Sequence, residues 1–180
     1  RTYAELDERA TRLANHLAQQ GIGAGDHVAI HAMNCVEWVE AFYACFKLRA
    51  VPININFRYV ESELAHLYED ADAVASIVAA EFVDRVPPLH HRLVIGDDYE
   101  AALATASPER DFDERSPDDH YIVYTGGTTG MPKGVVWRQE DIVLGAMNSM
   151  RYGRPLASVD ELGEEAKAAA GQLRLMGLGP

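Results

Sequence analysis

Helical and strand patterns alternate along this chain from its start to about residue 106, and that alternation constrains the fold more than any other feature. Apolar residues at helical spacing predict helices near 3–20, 35–49, 61–71, 81–86 and 98–106. Short β-branched runs predict strands between them, at 27–32, 51–55, 74–78 and 92–96. The first helix carries its own start signal: Thr2-Tyr3-Ala4-Glu5 has the form of a capping box, and Leu6, Ala10, Leu13 and Leu17 share one face before Gly21. Strands separated by helices make βαβ units, so the expected fold class is α/β, a mainly parallel sheet with covering helices. Ser107 to Asp119, with two prolines and six acidic residues, reads as a loop leading to a strand at His120 to Thr125. Beyond it lie a short strand at Val135 to Trp137, a helix at 139–150, a break at 151–155 and a helix at 160–175.

Between the last two strands stands an unusual string. Tyr124 to Gly134 reads Tyr-Thr-Gly-Gly-Thr-Thr-Gly-Met-Pro-Lys-Gly, placing four glycines, three threonines and one lysine in eleven residues. Glycines permit positive φ and close approach to a ligand, and successive backbone N–H groups in such a turn make a concavity suited to anions. Thr125, Thr128 and Thr129 add donors and Lys133 adds charge. The string is neither of the common nucleotide motifs. In the P-loop the lysine follows a glycine and a helix begins at once, whereas here Pro132 precedes Lys133 and Gly134-Val135-Val136-Trp137 reads as a strand. No G-x-G-x-x-G can be laid over Gly126, Gly127, Gly130 and Gly134. A plain hairpin turn needs neither the length nor the lysine.

These residues resemble the phosphate loop of the adenylate-forming enzymes, a family that includes acyl-CoA synthetases, luciferases and the adenylation domains of peptide synthetases. Its loop usually reads Thr-Ser-Gly-Thr-Thr-Gly-x-Pro-Lys-Gly, and Thr125 to Gly134 follow it except at Gly126, where a serine hydroxyl is lost. The opening helix, the strand Asp26-His27-Val28-Ala29-Ile30, the segment Pro52-Ile53-Asn54, Glu63-Leu64 and the strand Val74 to Val78 resemble the same family. Val136 to Ile142 looks like a subgroup of bacterial acyl-CoA synthetases that activate fatty and steroid-derived acids.

The resemblance implies that residues 1–180 are the N-terminal part of an AMP-binding domain, the first third of a longer protein whose C-terminal domain is absent here. The parent would join a carboxylic acid to the α-phosphate of ATP, expel pyrophosphate, and pass the acyl group to CoA, with Mg²⁺ sharing the phosphate charge. Thr125, Gly126, Gly127, Thr128, Thr129, Gly130 and Lys133 would hold the β- and γ-phosphates. The family's adenine, magnesium and ribose contacts and its late catalytic lysine have no counterpart, so no residue here takes a catalytic or metal-binding role. A peptide-synthetase adenylation domain or an aryl acid ligase shares the loop and the first half-reaction. A nucleotide-binding module without chemistry is the other alternative.

Charge and composition narrow the partners. A formal charge of −12 opposes a nucleic-acid partner, which needs clustered Lys and Arg. No apolar run approaches the length of a membrane span, and no signal segment is visible. Cys35 and Cys45 are expected to be free thiols in a reducing, cytoplasmic setting, since residues ten apart on one helix lie about 15 Å apart. His90 and His91 read as surface histidines rather than metal ligands, because adjacent extended residues point to opposite faces. Glu161 to Lys167 reads as a solvated helix face, and a chain cut from a larger sheet system is expected to expose apolar surface.

Overall fold

The computed structural model describes residues 1–126, 130–149 and 153–175. It forms two compact units, Arg1–Trp137 and Arg138–Pro180. The first unit holds helix α1 (Tyr3–Gln19), strand β1 (His27–His31), α2 (Val36–Leu48), β2 (Val51–Asn54), α3 (Glu61–Asp70), β3 (Ala75–Ala79), β4 (His91–Ile95), α4 (Asp97–Thr105) and β5 (His120–Thr125). It ends in β6 (Lys133–Arg138), whose last residue opens the second unit; α5 (Gln139–Ser149) and α6 (Val159–Leu175) follow. The helix expected at 81–86 is a 3₁₀ helix, Ala80–Arg85, short enough for that tighter winding. Cys35 precedes α2 instead of lying within it, and both cysteines are free. The break expected at 151–155 falls partly outside the described residues.

Local chemistry starts α1 as expected. Thr2 Oγ1 accepts from the Glu5 N–H at 3.2 Å, and Glu5 Oε2 accepts from the Thr2 N–H at 2.6 Å, closing the capping box. Ala10, Leu13 and Leu17 are fully buried on one face.

The strands form one sheet in the order β4-β3-β1-β2-β5-β6. The pairs β1–β2, β1–β3, β2–β5 and β3–β4 are all parallel, with Ile53 opposite Ile122 where β2 meets β5. The seven residues between β5 and β6 are too few for a parallel crossover, so this last pair is a hairpin. The chain moves one way from β1 to β2, then crosses back over β1 to β3. With right-handed crossovers that reversal puts α2 and α3 on opposite faces. Two cores result. Val28, Ile30, Ala75 and Ile77 pack with α1, α2 and α4, whereas Ala29, Val78, Ile53, Ile122 and Tyr124 pack with α3 and Phe82. The central strands are therefore buried on both faces, as parallel strands usually are.

Two polar clusters brace this frame. Arg9 donates to Glu40 Oε1 at 2.7 Å and pairs bidentately with Glu100 at 2.6 and 2.9 Å, while Tyr99 Oη donates to Glu40 Oε2 at 2.8 Å. The fully buried Glu40 carboxylate thus joins α1, α2 and α4. Arg49 ends α2 with a left-handed φ of 60° and directs its guanidinium onto Asp119 at 3.0 Å, holding the start of β5. His31 is the exception: it is fully buried, stacked on Phe82 at 4.8 Å, and neither ring nitrogen has a hydrogen-bond partner. Burial and the charge of Arg85 push its pKa down to about 4.

In the second unit, Asn148 Nδ2 donates to the Leu156 carbonyl at 3.1 Å and Asn148 Oδ1 accepts from the Leu156 N–H at 2.7 Å, tying α5 to the residues just before α6. Ser158 Oγ accepts from the Glu161 N–H at 3.2 Å and caps that helix.

Candidate phosphate-loop site

The string singled out in the sequence leaves the carboxyl end of β5, the end of a parallel sheet at which α/β proteins usually bind ligands. Thr125 and Gly126 are exposed, as are Gly130 and Lys133; Lys133 is the first residue of β6, and Pro132 before it is buried. Gly127, Thr128 and Thr129 lie outside the described residues. β6 begins at Lys133, two residues earlier than its apolar run suggests, because pairing with β5 continues to the foot of the loop.

The glycines at the two feet of the loop differ in their surroundings. Among the described glycines, positive φ occurs at Gly21, Gly25, Gly96 and Gly153, and not at Gly126 or Gly134. Gly134 is needed for close approach instead: a Cβ there would fall 3.1 Å from Tyr124 Cζ and 3.2 Å from its Cε2 and Oη. At Gly126 the nearest atom to an added Cβ is Tyr59 Oη at 4.0 Å, so a side chain fits.

Sequence reasoning missed the groups beneath the loop. Tyr124 Oη donates to Asp70 Oδ2 at 2.7 Å, at the C-terminal end of α3. Burial, then the Asp70 hydrogen bond and the charges of Asp70 and Asp72, push the Tyr124 pKa up, so the phenol stays protonated and donates. A cavity of about 450 Å³ opens here, lined by His66, Asp70, Met131, Pro132, Lys133 and Gly134. Asp70 lies 54 residues before Tyr124, and no local signal links them.

Other expectations fall away from this site. His90 is exposed and its Nε2 lies 2.9 Å from the Gln20 carbonyl oxygen. His91 departs from the surface reading: it is half-buried, with Nε2 3.3 Å from His16 Nε2. Among the described residues no three His, Cys, Asp or Glu side chains are grouped to hold a metal ion. No described helix is long and apolar enough to cross a membrane. Val135, Val136 and Trp137 on β6 are 40, 57 and 43% exposed, so the sheet ends in an apolar strand.

A family model described as AMP-binding enzyme matches residues 1–169. The chain belongs to the AMP-binding enzyme family. It is 45% identical over 194 residues to a 3-oxocholest-4-en-26-oate–CoA ligase of Rhodococcus rhodochrous, covering 96% of this chain and 35% of that one. It is 46% identical over 164 residues to a medium/long-chain-fatty-acid–CoA/3-oxocholest-4-en-26-oate–CoA ligase of Mycobacterium marinum, covering 78% of this chain and 30% of that one. Among solved structures, the inhibitor-bound N-terminal domain of FACL13 from Mycobacterium tuberculosis matches with a TM-score of 0.76 at 32% identity, over 83% of this chain and 40% of that one. The chain spans about a third of the length of the curated relatives it matches. Its α/β fold is thus that of an acyl-CoA synthetase N-terminal domain.

Proposed function

We propose that this chain is the N-terminal part of the AMP-binding domain of an ATP-dependent acyl-CoA ligase. Its parent activates a fatty or steroid-derived carboxylic acid as the acyl adenylate and transfers the acyl group to CoA. The observation that carries this reading is the 45% identity, over 96% of the chain, to a protein named as a steroid-acid CoA ligase.

In this reading the loop grips the β- and γ-phosphates. The hydroxyls of Thr125, Thr128 and Thr129 and the backbone N–H groups from Gly126 to Gly130 donate to phosphate oxygens, and Lys133 adds a point charge. They hold the leaving pyrophosphate in place while the acid's carboxylate attacks the α-phosphorus. Mg²⁺ would supply further charge neutralisation; the described residues offer it no ligand set, so its ligands would be the triphosphate and groups outside them. In this reading the reaction takes place in the cytoplasm, where Cys35 and Cys45 would stay reduced thiols.

The test is acid-dependent ATP–pyrophosphate exchange and CoA thioester formation by the full-length protein, with fatty, steroid, aryl and amino acids compared. Exchange confined to amino or aryl acids, or no thioester with CoA, overturns the assignment. The isolated 180-residue chain should bind ATP weakly and form no acyl adenylate.

A further inference from the structure

Both feet of the loop rest on one phenol. Tyr124 immediately precedes Thr125, the first loop hydroxyl, and its ring lies against Gly134, the residue after Lys133. The contact is close enough that even a methyl group at 134 would meet the ring at 3.1 Å. The same ring is tied at its other end to α3 by the 2.7 Å hydrogen bond to Asp70. One side chain therefore joins the entry of the loop, its exit and a helix on one face of the sheet.

Core packing alone does not call for that hydroxyl. Tyr124 is 8% exposed and packs among Ile122, Leu67 and Ile53, where a phenylalanine would fill the same space. The hydroxyl instead reaches an exposed carboxylate on the rim of the cavity that Lys133 also lines. A short bond to an ionised acceptor is stronger and more directional than a neutral one. Without it the ring keeps its packing but loses its polar tie to α3, and the Lys133–Gly134 backbone that rests on it loses that fixed reference. A loop that holds phosphate by several convergent donors loses much of its effect when one end shifts by about 1 Å.

We infer that Tyr124 and Asp70 are positioning residues: their hydrogen bond sets the place of Thr125 and Lys133 relative to the sheet, and so tunes the hold on the triphosphate. In this reading neither side chain contacts the triphosphate. The inference rests on Thr125 to Gly134 being a phosphate loop, and it adds an anchor to that loop.

The test is ATP–pyrophosphate exchange by the full-length protein, wild type against Tyr124→Phe, Asp70→Ala and the double variant, with KM measured separately for ATP and for the acid. The bond's loss should raise KM for ATP about 10-fold in each single variant, leaving KM for the acid within about twofold. The double variant should be no worse than either single one, because both remove the same bond. Gly134→Ala should produce the same selective rise by wedging the ring. Melting temperatures are read in parallel, and Tyr124→Phe decides the matter if Asp70→Ala fails to fold. An unchanged KM for ATP in Tyr124→Phe, equal rises for both substrates, or additive losses in the double variant overturn the anchor and leave the ligase reading standing. A wild type that exchanges with no acid overturns both.

Discussion

Acidification should destabilise this chain through one residue that takes no part in the proposed chemistry. The His31 imidazole is enclosed, stacked on Phe82, and faces the charge of Arg85, whose guanidinium lies 5.5 Å from the same phenyl centroid. Folding lowers its pKa to about 4, against about 6.5 in the unfolded chain. Below that unfolded value the unfolded state binds the extra proton, so stability rises with pH through the interval from 4 to 6.5 and falls as pH drops through it. Between pH 7 and pH 5 the loss is about 2 kcal/mol. With a urea slope on the order of 2 kcal/mol/M, the unfolding midpoint moves down by about 1 M. His16 and His91, also lowered by burial, add to the acid loss, so the diagnostic measurement is a difference. His31→Leu keeps the volume and removes the titration, and should abolish that 2 kcal/mol portion. It should also gain about 1 kcal/mol at pH 7, because an unpartnered buried N–H is gone. Urea unfolding followed by tryptophan fluorescence at both pH values measures this. Equal pH 7-to-5 losses in the two proteins, or an NMR titration of His31 near pH 6.5, would refute the reasoning.

Three further perturbations probe the loop and the frame that carries it. Thr128→Ala in the full-length protein removes one donor to the pyrophosphate and should slow exchange by about 10- to 100-fold; an unchanged rate counts against the loop assignment. Gly126→Ser restores the hydroxyl usual in the family, where the backbone is not left-handed and an added Cβ meets nothing closer than 4.0 Å. It should raise kcat/KM for ATP by about 2- to 10-fold, and a fall in activity would show that the glycine is required. Arg9→Ala deprives the buried Glu40 carboxylate of its 2.7 Å partner and frees Glu100, and should cost about 3 kcal/mol in urea unfolding; a loss below about 1 kcal/mol would mean that Tyr99 and Arg1, whose Nε lies 3.1 Å from Glu40 Oε1, suffice.

Features set by near neighbours were open to reading from residue order alone. Thr2 and Glu5 cap α1 because they sit three apart, and Leu13 and Leu17 are buried because their spacing puts them on one face. Alternating helix and strand patterns implied the parallel sheet, and a glycine- and threonine-rich string with its lysine implied phosphate, because backbone reach and side-chain chemistry are local properties. Where the reading erred, distance was the cause. His91 looked like a surface residue because nothing near it in sequence shows that His16 lies across from it at 3.3 Å. Gly134 was read as the start of a strand, and nothing near it in sequence shows that the Tyr124 ring lies 3.1 Å from where its Cβ would stand. Which strand lies beside which, which imidazole is sealed without a partner, and how Asp70 comes to hold a phenol 54 residues away follow from the crossover back over β1 and from close packing of the two cores. Those relations exist only once distant segments meet, so the tertiary structure alone decided them.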